Sequence, residues 1–195
     1  MNNIIKEIWM KYLLKGVAYG NKFERLDTAY QIANPWRMDS EGEQYRFNEI
    51  NKIIDQNIGY VEYLLEVGCG EGHQTQYLSK VSNNVYGFDV SSKAIKRAKK
   101  ICPDAKLFVD ELFTFQTGIG QPKFNLVVAC EVLYYIKDVS AAISKLNELG
   151  EYCLVSYFHG EISTLDKYFE TFSNIENTLI QFNDTQWRIL WWKSP

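Results

Sequence analysis

The chain has 195 residues, 46% of them hydrophobic and 23% charged, which suffices for one domain with a full-sized core. Its net charge of -3 argues against nucleic acid as a partner, because phosphate recognition needs a basic face. No run approaches the ~18 apolar residues of a membrane span, and the four cysteines show no CxxC or other metal spacing, so the expected setting is a reducing cytoplasm without a metal.

The first segment, MNNIIKEIWMKYLLKG, places Ile4, Ile5, Ile8, Trp9, Tyr12 and Leu13 at helical spacing, broken by Lys6, Glu7 and Lys11. It reads as an amphipathic helix and not as a signal peptide. Helical patterns continue to about residue 57, interrupted at Gly16–Asn21 and at Asn34-Pro35. Trp36 and Arg37 follow that proline, where a chain is usually exposed, and a helix over 39–57 carries Glu43, Tyr45, Arg46 and Glu49.

From Tyr63 the rhythm changes. Strands are expected at 63–67, 84–89, 106–109, 124–130, 151–158, 175–182 and 186–193, and helices at 73–80, 91–101, 138–148 and 162–172. The basic run Lys93–Lys100 reads as the solvated face of the second of these helices. Alternation of this kind means right-handed crossovers and a parallel sheet covered on both faces. Only Asp184-Thr185-Gln186 separates the stretches Asn177–Asn183 and Trp187–Trp192 of the last two strands, too short for a crossover, so they must form an antiparallel hairpin. The expectation is a doubly wound α/β fold with a seven-stranded, mostly parallel sheet ending in a C-terminal hairpin. It forms a single domain over 1–195, with an N-terminal helical cap or lid at 1–57 and a Rossmann-like core at 58–195.

The chemistry concentrates at Leu64-Leu65-Glu66-Val67-Gly68-Cys69-Gly70-Glu71-Gly72 and at Val85-Tyr86-Gly87-Phe88-Asp89-Val90, where Asp89 lies seventeen residues after Gly72. Glycines at 68, 70 and 72 let the chain turn sharply and bring backbone close to a ligand. Asp89 falls where the edge acid of such sheets meets ribose hydroxyls. GxGxG replaces the dinucleotide GxGxxG, and Glu66 precedes the loop. That carboxylate suits a cationic ligand better than a pyrophosphate. The segment resembles motif I of the class I S-adenosylmethionine-dependent methyltransferases.

Ligands of open α/β sheets lie outside the carboxyl ends of the strands. With the resemblance, this rule selects a cofactor set for S-adenosyl-L-methionine and its product S-adenosyl-L-homocysteine: Glu66, Gly68, Cys69, Gly70, Gly72, Asp89, Val90, Asp110, Glu111, Leu112, Cys130 and Glu131. Asp110 is read as an acceptor for an adenine amino group or, equally, as the cap of a turn. Glu131 follows a strand of mostly apolar residues and would otherwise be buried unpaired. Trp36 and Arg37 are read as a lid on the cofactor, with Arg37 on the methionine carboxylate, or as an anchor for the N-terminal helices. Arg46 joins the cofactor set. Tyr30, Tyr134, Tyr135, Tyr157 and His159 are candidates for acceptor binding. His159, at the expected sheet edge, is the first candidate base, and Glu131 the second.

A closer resemblance rests on PWRMD, on Glu43 and Arg46 in the next helix, and on LEVGCGEG and FNLVVACEVLYYI. Over about residues 23 to 157 the chain is similar to the NodS family, small methyltransferases that N-methylate a deacetylated chitooligosaccharide. The resemblance implies methyl transfer to N or O of a small polar acceptor, such as a sugar, an amino-sugar or a nucleotide-linked glycan precursor, by a monomer or homodimer. It fades after the fifth strand, where acceptor recognition often sits. Two other readings stay open: aminopropyl transfer on the same fold, for which no DxxD-like gate is present, and a non-catalytic adenosylmethionine-binding or scaffold protein.

Overall fold

The computed structural model describes residues 22–116, 123–170 and 172–195. The expected N-terminal amphipathic helix and the Gly16–Asn21 break lie outside the described residues. The described chain opens with helix α1 (Lys22–Ala29) and α2 (Glu41–Asn57). Ser40 caps α2 by accepting from the Glu43 backbone N–H at 3.5 Å, the Ser-x-x-Glu signature of a helix start.

Then follow β1 (Val61–Val67), α3 (Thr75–Leu78), β2 (Ser82–Asp89), α4 (Ser92–Ile101), β3 (Lys106–Val109), β4 (Phe124–Cys130), α5 (Val139–Leu149), β5 (Gly150–Phe158), α6 (Ile162–Leu165), β6 (Ile175–Phe182) and β7 (Thr185–Lys193). Strand order is β3-β2-β1-β4-β5-β7-β6. Neighbours are parallel up to β5, and β7 runs antiparallel to both β5 and β6. The seven-stranded sheet and its terminal hairpin are as expected. Order reverses between β1 and β4, which places the crevice of the fold at their carboxyl ends.

Side chains alternate across this sheet. Leu65, Val67, Val127, Ala129, Val155 and Tyr157 face one way, in a core shared with Val139, Ala142, Ile143 and Leu146 of α5. Leu64, Leu126, Val128, Leu154 and Ile189 face the other, against Ile50, Ile53 and Ile54 of α2. The helix at 41–57 is therefore a full layer of the core. What stands over the carboxyl ends of the strands is the shorter stretch 22–40.

Three expected elements differ. The helix at 73–80 is reduced to the single turn α3. The helix at 162–172 breaks into 3-10 turns at His159–Glu161 and Asp166–Tyr168 flanking α6. Asp166 accepts from the Tyr157 hydroxyl at 2.5 Å and pairs with Arg188 at 3.3 Å, which draws this segment onto the sheet in place of a regular ladder. In the final hairpin the turn is Asn183-Asp184, with Asn183 at φ +52°, so Thr185 and Gln186 already belong to β7. Among the described residues no helix is long and apolar enough to cross a membrane.

Candidate active site

A cleft of about 510 Å³ opens at the β1/β4 switch point, a volume typical of small-molecule sites. Its floor is the loop after β1. Gly70 has φ +53°, and a Cβ there would stand 2.7 Å from the Tyr30 hydroxyl, so only glycine lets the tyrosine close over the loop. Gly72, expected to touch the cofactor, does not line the cleft. With φ +86° it lets the loop pack against α4, where a Cβ would lie 3.2 Å from both Ala98 and Cys102.

Two carboxylates bury themselves in this floor. Glu66 is 4% exposed and accepts from the Thr75 hydroxyl at 2.5 Å. Desolvation pushes its carboxyl up to about 8, against the pull of Thr75 and the Arg46 charge. Asp89 is 8% exposed and accepts from the Gly70 N–H at 3.0 Å and the Ser91 N–H at 2.9 Å. Burial raises it to about 6, and those two N–H bonds oppose the rise. Beyond Asp89 the wall is apolar, with Phe88, Val90, Leu112 and Phe113, a slot for a flat ring. Glu111 lines it as well. Asp110 does not; it accepts from the Glu111 N–H at 2.8 Å and the Thr114 hydroxyl at 2.6 Å, so it is the turn cap.

The opposite wall comes from the ends of β4 and β5. Glu131 adopts φ +58°, a left-handed conformation rare outside glycine. Its Oε1 accepts from Ser156 at 2.9 Å, and its Oε2 from the Tyr134 hydroxyl at 3.1 Å and the Phe158 N–H at 3.2 Å. Burial raises the Glu131 carboxyl, and the nearby Arg46 charge moderates the rise. Burial also lifts the Tyr134 hydroxyl well above its usual range and that of Tyr135 to about 12. The Cys130 thiol, pushed up to about 11 by burial, is neutral.

The third wall is the N-terminal segment. Trp36 packs edge-on to Tyr30 with ring centroids 4.9 Å apart. Its buried indole N–H lies beside the Tyr135 hydroxyl without hydrogen-bond geometry. Tyr30 thus stands at the glycine-loop end of the cleft. Arg37 is exposed and outside the cleft wall. Arg46 lines the cleft at 1% exposure, and four of its five N–H donors go to protein acceptors: Glu43 at 2.6 and 2.9 Å, Gln74 Oε1 at 3.2 Å and Ser156 Oγ at 3.4 Å.

Of the expected site residues, the structure brings together Tyr30, Trp36, Arg46, Glu66, Gly68, Cys69, Gly70, Asp89, Val90, Glu111, Leu112, Cys130, Glu131, Tyr134 and Tyr135. Tyr157 is fully buried on the α5 face and donates to Asp166. His159, the first candidate base, is exposed on a 3-10 turn outside the cleft. Both are corrections. One residue of strand parity turns Tyr157 away and turns Ser156 in, and the chain past Phe158 leaves the sheet before His159.

The sequence reading did not single out Gln74 and Thr75, and it named Ser156 only as part of the stretch after the fifth strand; Thr75 holds Glu66, Ser156 holds Glu131, and Gln74 accepts from Arg46. It also missed a latch. Lys93 and Arg97, one turn apart in the basic run read as solvated, pair with Asp27 and Glu71. Glu71 accepts from the Asn34 N–H at 2.9 Å, and Arg97 donates to the Tyr30 carbonyl at 2.7 Å. The i, i+4 spacing of Lys93 and Arg97 was the available signal.

A family model described as a methyltransferase domain matches residues 42–193. Nodulation protein S of Sinorhizobium fredii is 29% identical over 133 residues, 66% of this chain and 60% of that protein. A ubiquinone biosynthesis O-methyltransferase of Nitrosomonas europaea is 29% identical over 133 residues, covering 64% of this chain and 56% of that one. The chain thus spans under two thirds of the length of these curated relatives. Among solved structures, the N-methyltransferase NodS from Bradyrhizobium japonicum, in complex with S-adenosyl-L-homocysteine, superposes with a TM-score of 0.74 at 22% identity, over 90% of this chain and all of that one. The magnesium protoporphyrin IX methyltransferase of Synechocystis, with bound S-adenosylmethionine, gives 0.68 at 17% identity over 91% of this chain and 99% of that one. At these identities the likeness establishes the shared fold.

Proposed function

The chain belongs to the methyltransferase domain family, and on that premise we propose that it moves a methyl group from S-adenosyl-L-methionine to N or O of a small polar acceptor, with a sugar, amino-sugar or nucleotide-linked glycan precursor as the substrate class. The observation that carries this reading is the pair of buried carboxylates on the cleft floor, Glu66 and Asp89, facing Glu131 across the switch point. Among the described residues no cation forms an ion pair with Glu66, and a ligand ammonium would return its carboxyl to the ionised form. Asp89, already organised by two backbone N–H groups, offers its remaining lone pairs to ribose hydroxyls, beside the apolar slot for adenine.

S-adenosylmethionine supplies a methyl group on a sulfonium, a carbon already activated for displacement. The protein's contribution is then placement, which can supply on the order of 7–11 kcal/mol. Trp36, Tyr134 and Tyr135 wall the acceptor side and exclude water, and their faces suit a sugar ring or a cationic amine. Glu131 takes the acceptor's proton. Three donors hold its carboxylate in place, and one lone pair of Oε1 is left for the acceptor. Its raised carboxyl is a stronger base than an exposed glutamate.

The likeness to the N-methyltransferase NodS favours a nitrogen acceptor, and the ubiquinone biosynthesis O-methyltransferases favour an oxygen acceptor. Calorimetry with S-adenosyl-L-homocysteine tests the cofactor. Donor turnover over matched amino-sugars and neutral sugars then tests the acceptor. Micromolar binding with turnover only on the amino-sugar would select N-methylation, and no binding would overturn the reading.

A further inference from the structure

The carboxylate of Glu131 rests on a chain of polar groups that runs back into α2. Glu43 accepts from Nε and Nη2 of Arg46 at 2.9 and 2.6 Å, and Arg46 Nη1 donates to Ser156 Oγ in a long bond of 3.4 Å. Ser156, fully buried on β5, donates in turn to Glu131 Oε1 at 2.9 Å. Arginine can only donate, so Ser156 must accept at that contact, and its single proton is left for Glu131. The guanidinium therefore fixes the rotor of the hydroxyl. Tyr134 and the Phe158 N–H both donate to Oε2. The free lone pair thus lies on Oε1, the oxygen that Ser156 holds.

The electrostatics follow the same chain. The Arg46 charge and the Ser156 hydrogen bond favour the ionised form of Glu131, and the Glu43 charge opposes it. Cys130, Tyr134 and Tyr135, the titratable groups beside Glu131 on its own strand end, are held above their usual ranges by burial and stay neutral. Among the described residues, the charges set against Glu131 are thus the Arg46–Glu43 pair of α2. A guanidinium bonded directly to Glu131 would occupy its free lone pair and weaken it as a base. Resting on the reading of Glu131 as the base, we propose that Glu43, Arg46 and Ser156 are positioning residues for the proton transfer: Ser156 aims Oε1, Arg46 orients Ser156, and Glu43 keeps Arg46 from bonding to Glu131 itself. The proton that the acceptor sheds passes to Oε1, and the three residues act through that oxygen.

The test follows Glu131 directly, by NMR pH titration of its side-chain carboxyl carbon in ligand-free protein labelled with 13C-glutamate. Loss of the signal in Glu131→Gln assigns it. Ser156→Ala removes the hydroxyl while Glu43 and Gln74 still hold the guanidinium back, and it should move the titration up. Glu43→Gln keeps the size of the side chain, removes its charge and should move the titration down. Each shift should reach at least about 0.5 pH unit. Opposite shifts from two near-isosteric changes are not what loosened packing gives, because admitted water would move both the same way. Ser156→Cys, a weaker donor of similar size, should shift upward too, and it is the variant to read if thermal melting shows Ser156→Ala unfolded. With an identified acceptor, the acid limb of the kcat profile should follow the titration in each variant. Shifts in one direction, or none, would overturn the proposal. Full turnover in Glu131→Gln would instead overturn the base reading, and the role of the three residues in turnover with it, whatever the titrations show.

Discussion

Glu131 and Ser156 meet across the ends of β4 and β5, tied twice. The Glu131 backbone N–H donates to the Ser156 carbonyl at 2.9 Å, and the Ser156 hydroxyl donates to the Glu131 carboxylate at 2.9 Å. The left-handed backbone of Glu131 costs on the order of 1–3 kcal/mol, and these bonds help hold it there. Such strain at a cleft wall points to a carboxylate placed for use.

Glu131→Gln should keep much of this geometry and remove the proton acceptor. The expected outcome is a fall in kcat of about 10²-fold or more, with S-adenosyl-L-homocysteine affinity nearly intact. Steady-state kinetics with an identified acceptor check it. A full-rate variant would show that the acceptor loses its proton to water.

His159→Ala should leave turnover within about twofold of wild type, because the residue is exposed and outside the cleft. The same kinetics apply. A loss approaching that of Glu131→Gln would mean that the 159–161 turn closes over the acceptor.

Glu66 should give the stability of the protein a pH dependence. Its carboxyl ordinarily sits near 4.5 and is held up to about 8 in the folded protein. A carboxyl raised on folding lends stability below its unfolded value, and that stability is lost as pH rises through the folded one, here across 4.5 to 8. Glu66→Gln should therefore melt about 3 °C or more above the ligand-free wild type at pH 8.5 and close to it at pH 4.5. The same variant should bind S-adenosyl-L-homocysteine more weakly. Parallel melting curves across that range would show that Glu66 is ionised throughout.

Asp89→Asn retains one acceptor oxygen where two now serve Gly70 and Ser91. It should lower S-adenosyl-L-homocysteine affinity by roughly 10- to 100-fold, combining a weakened ribose contact with a loosened loop. Calorimetry reads this directly, and unchanged affinity would remove Asp89 from the site.

The 22–40 segment hangs on Asp27 with Lys93 and on Glu71 with Arg97. Arg97→Ala should raise hydrogen exchange across residues 30–40 in the ligand-free protein, and S-adenosyl-L-homocysteine should restore part of the protection. Equal exchange in the variant and the wild type would mean that packing of Tyr30 and Trp36 alone secures the segment.

Connection lengths and hydrophobic rhythm in the sequence already determined the sheet, its terminal hairpin and the strand ends that line the cleft. These follow from rules of chain geometry that hold whatever the partners. The place of the glycine loop, Glu66 and Asp89 at the cleft was legible for the same reason, since it follows from local backbone shape at the strand ends. Side-chain direction after a strand ends is not local. Tyr157 and Ser156 differ by one residue, yet the sheet's alternation sends the tyrosine into the α5 core and the serine to Glu131. Strand parity alone would have found that; the exposure of His159 depends on where the chain leaves the sheet. Arg46 shows the limit most plainly. The sequence marked it as a ligand contact, but only the packing of α2 on the sheet brings Glu43, Gln74 and Ser156 within reach of one guanidinium. Which of its partners a buried charge chooses is decided by the groups that the fold gathers around it from 110 residues away.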